Sequence, residues 1–442
     1  MIKKIILFST LITLTTLTSA HAQKLTSSEA LPQVKIPQDS KLTIVADNKS
    51  HGITSPTALT IDEQGNILIT ESFRFMNERG IDDNRQRRFW IKEDIASQTT
   101  ADRLKLYEKY YDRIKPEHYT RYSEKIRRLT DSNNDGTHDA FNIFAEGFNK
   151  PLDGTAAGIF SYNGTTYFAC IPHIWALRDK DGDGVSDERK SLQEGFGTRV
   201  SFSGHDLNGF AFAPDGRIYA TVGDRGLNIK TKEGKQWVLP GQGAIIRFDP
   251  DGSNMEVIHT GLRNPKEIAF DEFGNGITVD NNSDQGDKAR VVYIVDQADS
   301  GWRMGHQILH SFHRTIDLEK HPINRWMAEK MWQPENSDQP SYIIPPLANY
   351  TSGPSGLTYD PGVGAHPDFK GKFLVSDYRG GASHSLIRSF DIENDGAAMK
   401  FVNPADFNTG AATTDVEYGY DGSIYITDFI GGWHAHEKGR IY

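Results

Sequence analysis

Apolar and polar residues alternate along the chain in six pairs of short runs, and each pair is joined by a tight turn that ends in glycine. A period of two is typical of β-strands that bury one face, and two such runs around a short turn predict a β-hairpin. The stretches 210–222 and 416–428 show the pattern in full. The six turn glycines are Gly65, Gly164, Gly216, Gly274, Gly371 and Gly422.

The distance between successive turns reveals the size of the repeat. The turn glycines are separated by 99, 52, 58, 97 and 51 residues, so a unit of about fifty residues is lengthened twice. That length is typical of one four-stranded blade of a β-propeller. Third and fourth apolar runs follow the hairpins, as at 245–249 and 255–262. We therefore predict an all-β, six-bladed β-propeller over residues 23–442.

The two ends of this region predict how the ring closes. The sixth unit stops after its third strand, at 439–442, whereas the run 41–46 precedes the first hairpin and has no partner in its own unit. An N-terminal strand that completes the last blade would close the ring and remove an exposed sheet edge. The two longer units predict a partly helical insertion in blade 1, about 72–124, and a long insertion after blade 4, about 303–345.

The first 22 residues have the pattern of a cleaved secretory signal. Lys3 and Lys4 are followed by an apolar stretch over 5–17 and by Ser-Ala-His-Ala before Gln23. The stretch is too short to span a membrane, which takes about 20 apolar residues. We therefore expect a periplasmic or secreted protein without a membrane span.

Charge and cysteine content exclude two classes of function. The chain has 49 Lys and Arg against 59 Asp and Glu, a net charge of −10, which disfavours a nucleic-acid partner. Cys170 is the only cysteine. The chain therefore cannot form an internal disulfide, and it cannot attach a c-type haem, which needs two cysteines.

Two acidic loops predict structural Ca²⁺ sites. Each places oxygen donors at positions 1, 3, 5 and 9, a backbone carbonyl at position 7 and Gly at position 6, a spacing that suits Ca²⁺. Neither has the Glu of an EF-hand at position 12, and solvated acidic turns without metal are the alternative. The candidate ligands are Asp131, Asn133, Asp135, Thr137 and Asp139 in one loop and Asp179, Asp181, Asp183, Val185 and Asp187 in the other.

Cationic and other polar residues, unlike those of the acidic loops, lie where chain segments enter the predicted inner strands. Aligning the third and fourth units places His205 over Arg263 and Asn264, and both segments are expected at the ring axis, on the face opposite the glycine turns. Titratable groups that meet in an axial cleft form the default candidate site of a propeller. Asp377 and Asp428, at the ends of second strands, are expected only to satisfy backbone groups.

Several motifs resemble a known family. Gly-His-x-x-Asn-Gly-x-x-Phe-x-Pro-Asp-Gly-x-Ile-Tyr-x-x-x-Gly-Asp at 204–224, Gly-Leu-Arg-Asn-Pro at 261–265 and Asn-Ser-Asp at 282–284 are similar, in order and spacing, to soluble quinoprotein glucose and sorbosone dehydrogenases. Glu-Gly-Phe at 146–148 and Gly-Pro-Ser-Gly-Leu at 353–357 resemble more closely the propeller region of the family designated membrane-bound dehydrogenase. The resemblance covers nearly the whole of 23–442.

The resemblance implies a six-bladed propeller that binds pyrroloquinoline quinone (PQQ) with Ca²⁺ and oxidises a sugar or polyol hydroxyl. By that resemblance His205 is the general base, and electrons leave to a separate acceptor protein. Arg263 and Asn264 are cofactor contacts and Arg379 a further basic contact, while the carbonyls of Asp280 and Asn281 are Ca²⁺ ligands. The family places two arginines before its last inner strand, where 410–416 has no basic residue.

Three functions are compatible with these residues. The first is the quinoprotein oxidoreductase acting on a carbohydrate. The second is a metal-assisted hydrolase, lactonase or lyase that uses the same axial cleft without a quinone. The third is a non-catalytic carbohydrate-binding propeller.

Overall fold

The computed structural model describes residues 24–75, 79–319, 324–333, 336, 338, 341, 343–362, 366–432 and 438–442. The predicted secretory signal, 1–22, lies outside these residues. No helix in the described part of the chain is long and apolar enough to cross a membrane.

Six antiparallel sheets form the blades. Three short strands come first: β1 (Leu25–Ser27), β2 (Lys35–Pro37) and β3 (Ala46–Asp47). Blade 1 contains β4 (Pro56–Ile61), β5 (Ile67–Glu71), β6 (Glu124–Thr130) and β7 (Ala140–Phe148). Blade 2 contains β8 (Ile159–Tyr162), β9 (Thr165–Cys170), β10 (His173–Arg178) and β11 (Glu188–Glu194).

The third blade carries additional strands, and the fourth is interrupted before its last strand. In blade 3, β12 (Leu207–Phe212) and β13 (Ile218–Val222) are followed by a separate hairpin of β14 (Leu227–Lys230) and β15 (Gln236–Leu239), then by β16 (Gly243–Phe248) and β17 (Glu256–Leu262). Blade 4 consists of β18 (Pro265–Phe270), β19 (Gly276–Asp280), β20 (Arg290–Tyr293) and, beyond β21 (Ala298–Asp299), β22 (Ala348–Asn349). Strand β21 pairs in parallel with β17 and so joins the sheet of blade 3.

The last two blades complete the ring. Blade 5 contains β23 (Pro354–Tyr359), β24 (Phe373–Asp377), β25 (Leu386–Asp395) and β26 (Ala398–Thr409), and β2 pairs with the outer edge of β26. Blade 6 contains β27 (Thr413–Tyr418), β28 (Ile424–Asp428) and β29 (Arg440–Ile441). The helices are α1 (Asn48–His51), α2 (Ile91–Ala96), α3 (Thr100–Lys109), α4 (Met304–Ser311) and α5 (Arg325–Glu329), with 3₁₀ turns at Arg88–Trp90, Pro116–Tyr119 and Pro367–Phe369.

The predicted all-β, six-bladed propeller is confirmed. Each of the six predicted hairpins joins the first and second strands of one blade. All six turn glycines have φ between 67° and 85°, a region in which side chains with a Cβ are strained. The backbone of every blade therefore favours glycine at the turn.

The ring closes as predicted, although the closing strand begins later. Strand β3 pairs with β29, with Ala46 opposite Ile441 and Asp47 opposite Arg440. The prediction of a strand over 41–46 was wrong in its bounds, because only the Val45 backbone N–H, bonded to the Ile441 carbonyl at 2.9 Å, extends the pairing toward the N-terminus. The rest of the segment is coil.

Both insertions are present, and the second differs in position from its prediction. The first leaves β5 and returns at β6, and it carries α2 and α3. The second does not follow blade 4, because it separates β20 from β22, the third and fourth strands of that blade. After β20 the chain forms β21, which runs parallel to β17. It therefore ends on the face where β17 leads into β18, and α4 lies at the axial mouth instead of on the face with the glycine turns.

The first strands of the six blades form a ring around the axis, and each contacts its two neighbours. Their axis-facing edges have no strand partner, so polar side chains of adjacent blades bond to the backbone there. These bonds are Thr57 Oγ1 to Ala156 O (2.7 Å), Thr155 N to Asp206 Oδ2 (2.9 Å), Asn208 Nδ2 to Pro265 O (2.8 Å), Leu357 N to Glu267 Oε2 (2.6 Å), Ser355 Oγ to Thr413 O (3.4 Å) and Leu59 N to Asp415 Oδ2 (2.8 Å).

Truncation of Ile441 tests the closure between β29 and β3. Ile441 is fully buried and packs with Ala46, Ile53 and Leu59. We expect Ile441→Ala to lower the free energy of unfolding by about 2–5 kcal/mol, because it leaves a cavity where the ring closes. Urea denaturation measures the change. Phe273→Ala is the control, since Phe273 is 82% exposed and its loss should change stability by less than about 0.5 kcal/mol. Equal effects of the two changes would contradict the closure.

Candidate functional site

The candidate site is a cavity of about 800 Å³ on the propeller axis. Every blade contributes to its wall, because each first strand starts at the cavity. One lining residue from each blade in order is Thr57, Ala156, His205, Arg263, Ser355 and Thr414. His205 and Arg263, which the sequence places together, therefore share one cavity.

His205 lies on the loop that leads into β12, with only 6% of its surface exposed. Its Nδ1 is 2.8 Å from Oδ1 of Asp224, which also accepts from Ser201 Oγ at 3.1 Å. The other oxygen of Asp224 accepts from Trp302 Nε1 at 2.9 Å. Since an ionised carboxylate only accepts, Nδ1 carries the proton and Nε2 has the free lone pair.

The protonation states of this pair suit a base. Burial is the main cause that lowers the pKa of His205 below its ordinary value, and the positive charges of Arg263 and Lys266 lower it further, against the effect of Asp224. Burial acts to raise the pKa of Asp224, but His205, Arg263 and Trp302 hold it below its ordinary value. At neutral pH the pair is therefore a neutral imidazole oriented by an ionised carboxylate.

Arg263 and Asn264 follow β17 and enter β18. The guanidinium of Arg263 donates from Nη2 to Asp284 Oδ2 at 2.6 Å and from Nε to Gln307 Oε1 at 3.1 Å. Gln307 also donates to Asp284, at 3.0 Å, so α4 of the second insertion holds the orientation of this cation. Asn264 accepts from Asn208 Nδ2 at 3.1 Å. Both predicted residues line the cavity.

Asp280 and Asn281, both predicted to offer carbonyl oxygens to Ca²⁺, differ in their position relative to the cavity. Asn281 lines the cavity. The carboxylate of Asp280 lies behind the wall, where it accepts from the backbone N–H groups of Arg263 at 3.0 Å and Asn264 at 2.7 Å and pairs with Arg290. Asp280 thus belongs with Asp377, which accepts from the N–H groups of Ser352 and Gly353 in the same way. The carboxylate at the end of the second strand fixes the loop that enters the first strand.

Arg379 also lines the cavity, as predicted. Its Nε donates to Asp377 Oδ2 at 3.0 Å, and Nη2 contacts the same oxygen. Because Asp377 is buried and already bonded to the backbone, the cation is held at the rim of the cavity.

The first insertion, which leaves the second strand of blade 1 at the axial face, supplies part of the wall. Phe75, Asp83, Arg85 and Gln86 line the cavity. Asp83 accepts from Ser203 N at 3.0 Å and pairs with Arg85 at 2.7 Å, so the insertion is bonded to the loop that carries His205. Contacts between residues more than a hundred positions apart leave no local pattern by which they could be recognised.

Lys266 is a further residue that the sequence analysis missed. It lines the cavity, and its Nζ donates to the Gly204 carbonyl at 2.6 Å and to Asn208 Oδ1 at 3.0 Å. Separation from bulk water lowers the pKa of Lys266 to about 8. The one signal in the sequence is its place directly after Arg-Asn-Pro, within a strand whose pattern gives no reason to single it out.

Three carboxyl groups meet beside the cavity. Glu267 lines it, while Asp415 and Glu417 lie on β27 across the axis. Burial, together with repulsion from Asp415 and Glu417, raises the pKa of Glu267 well above its ordinary value. Burial and repulsion from Asp415 raise the pKa of Glu417 to about 8. Part of this group is therefore protonated and neutral at neutral pH.

The two acidic loops join the third and fourth strands of blades 1 and 2, as predicted. In the second loop, carboxylate oxygens of Asp179, Asp181 and Asp187 lie within 4.8 Å of one another, and this set could hold a metal ion. In the first loop, Asp131 accepts from Asp135 N at 3.1 Å and from Gly136 N at 2.7 Å. The loops are neighbours, since Arg128 beside the first contacts Asp179 at 3.3 Å.

The chain belongs to the family described as domain of unknown function DUF7133, whose model matches residues 26–438. A search of curated protein sequences found no match. The resemblance to solved structures lies in the fold and not in close sequence identity.

Three sugar dehydrogenase structures share this fold. A Thermus thermophilus protein provisionally assigned as an oxidoreductase (glucose dehydrogenase) is 16% identical, with a TM-score of 0.53 over 89% of this chain and 97% of its own. PQQ-bound aldose sugar dehydrogenase from Streptomyces coelicolor is 16% identical, with a TM-score of 0.51 over 92% and 97%. Soluble aldose sugar dehydrogenase from Escherichia coli, in its apo form, is 11% identical, with a TM-score of 0.51 over 90% of this chain and 97% of its own. The resemblance to quinoprotein dehydrogenases is thus confirmed for the fold.

The residues of the cavity fit a carboxylate-bearing quinone in their chemistry. Arg263 and Arg379 line the wall as predicted, and Arg85 arrives from the first insertion although 410–416 has no basic residue. Each of these guanidinium groups is already bonded to an aspartate, so it offers the carboxylates of a quinone its remaining N–H donors. The cavity volume is also within the range of small-molecule sites.

Proposed function

We propose that this protein is a quinoprotein-type oxidoreductase that oxidises a hydroxyl group of a sugar or polyol, with His205 as the general base. The observation that carries the proposal is the His205–Asp224 pair on the wall of the axial cavity, with Arg263 on the same wall. A base, a group that orients it and a nearby cation are the parts needed to remove a hydroxyl proton.

Each residue has a distinct part in the proposed reaction. Nε2 of neutral His205 accepts the hydroxyl proton of the substrate, and Asp224 stabilises the imidazolium through Nδ1–H. Arg263 stabilises the negative charge that develops on the substrate oxygen, and its contacts with Asp284 and Gln307 fix it before the substrate arrives. Trp302 and Ser201 hold Asp224 in place.

The cofactor of the proposed reaction is PQQ with Ca²⁺. Bound in the cavity, a quinone would provide a two-electron acceptor for the hydride of the substrate carbon. Arg263, Asn264 and Arg379 would hold it, and the carbonyls of Asp280 and Asn281 would face its Ca²⁺. A separate acceptor protein would then take up the electrons. We place the reaction in the periplasm or outside the cell because of the signal-like segment 1–22.

We further propose that the two acidic loops bind structural Ca²⁺, through Asp131, Asn133, Asp135, Thr137 and Asp139 in one and Asp179, Asp181, Asp183, Val185 and Asp187 in the other. Support comes from the grouped oxygens of Asp179, Asp181 and Asp187 and from the positive φ of Gly136 and Gly184 at position 6. The loops lie on the face with the glycine turns, so the metal would stabilise blades 1 and 2 without taking part in the reaction.

Replacing His205 tests the proposed base. With PQQ and Ca²⁺ added, we expect the protein to reduce an artificial electron acceptor in the presence of a sugar. His205→Gln should lower kcat/KM by about 10²–10⁴-fold, because Gln cannot take up the proton. In the unaltered protein kcat/KM should fall in acid as Nε2 is protonated, with a midpoint below about 6.5, since the pKa of His205 is lowered.

His384→Ala is the matched control, because His384 is exposed after β24 and does not line the cavity. Its rate should equal that of the unaltered protein. Absence of dye reduction with any sugar would overturn the proposal. Lactone hydrolysis without quinone would then favour the metal-assisted hydrolase, lactonase or lyase, and glycan binding that survives His205→Gln would favour the binding propeller.

Removing one carboxylate tests the Ca²⁺ loops. We expect calorimetry of the protein without quinone to show two loop sites, and Asp181→Ala to remove one. At a Ca²⁺ concentration a hundredfold above Kd, one site stabilises the fold by about 2.7 kcal/mol. Asp395→Ala, a change at an exposed acidic residue at the end of β25, should keep both sites. Unchanged stoichiometry in Asp181→Ala would contradict the assignment.

A further inference from the structure

The cationic side chains on the cavity wall differ in their hydrogen-bond partners. Arg85, Arg263 and Arg379 are each bonded to an aspartate, at positions 83, 284 and 377. Lys266 differs, because both of its hydrogen-bond acceptors, the Gly204 carbonyl and Asn208 Oδ1, are neutral. An ammonium has three N–H donors, so one remains for a ligand.

The carboxyl groups around Lys266 are occupied elsewhere. Asp206, the carboxylate that acts most strongly to raise the pKa of Lys266, is paired with Arg225 at 2.7 Å and accepts from Thr155 N. Glu267, the next residue in β18, accepts from Leu357 N of blade 5 through Oε2. Burial and the neighbouring carboxyls favour its neutral form. The ammonium thus lacks a carboxylate bonded to it among the described residues.

A cation removed from bulk water is stabilised when an anion joins it. The Gly204 carbonyl that holds Lys266 belongs to the residue before His205, so one ligand in the cavity can contact both side chains. We propose that Lys266 binds a carboxylate of the substrate, which makes the substrate of the proposed oxidation a sugar acid. This inference rests on the proposed function for the oxidation but is tested by binding alone.

The test compares two sugars that differ at one carbon, with the full chain in Ca²⁺ and without quinone. Calorimetry should show glucuronate binding at least about tenfold more tightly than glucose, the size expected of a hydrogen bond to a charged group. Lys266→Met, which keeps the length of the side chain, should abolish the preference and leave glucose affinity unchanged. Arg217→Met is the matched control, because Arg217 lies after the hairpin turn of blade 3, away from the cavity.

Equal affinity for the two sugars in the unaltered protein would overturn the inference whether or not a variant folds. So would a preference that persists in Lys266→Met. The preference should decrease from pH 7 to pH 9.5, because the pKa of Lys266 is lowered to about 8, while His205 is already neutral in this range. Glu417 beside the cavity, with its pKa raised to about 8, gains negative charge over the same range and acts in the same direction. An unchanged preference at pH 9.5 would count against Lys266.

A second series with PQQ present separates the two sources of a carboxylate. If the preference for glucuronate persists, the substrate carboxylate occupies Lys266. If PQQ abolishes it, the quinone carboxylate takes this position and the sugar-acid assignment is overturned. Dye reduction is measured apart from binding, so an inactive protein that still prefers glucuronate would refute the oxidoreductase and retain the Lys266 site.

Discussion

The structure depends on hydrogen bonds to the backbone groups at the inner edges of six sheets. The first strand of each blade faces the axis with N–H and C=O groups that have no strand partner, and unpaired backbone groups away from water are costly. Polar side chains from neighbouring blades meet this need, as Asn208 does for Pro265 and Asp415 for Leu59. At the opposite edge of blade 6, β3 supplies the fourth strand by pairing with β29.

The same constraint places the site. Loops that enter the first strands converge on the axis, and carboxylates at the ends of second strands hold their backbone, as Asp280 and Asp377 do. At the corresponding end of blade 3, Asp224 orients a side chain, His205, rather than a backbone group. One blade thus uses its carboxylate to orient an imidazole, whereas others use it to hold backbone N–H groups. The two insertions then fix parts of the site. Asp83 of the first insertion holds the loop that carries His205, and Gln307 of the second holds the side chain of Arg263.

Much of this arrangement was predictable from repeated local patterns. The six turn glycines, the alternating runs and the missing final strand identified the blades, because period-two alternation and positive φ are properties of a few adjacent residues. Alignment of repeats also brought His205 and Arg263 to one face. The bounds of the closing strand and the position of the second insertion were wrong, since both depend on pairing with strands far away in the chain.

The sequence by itself determined the strand pattern of a blade, the number of blades and the kinds of side chain at each strand end. These follow from local backbone preference and from the burial of one face of each strand. Only the tertiary structure decided which charges meet. It paired Arg85 with Asp83 above the His205 loop and left Lys266 with neutral acceptors. It also placed Glu267 close enough to Asp415 to raise its pKa. Electrostatic interaction depends on distance in space, and residues from six blades approach one another only once the ring has closed.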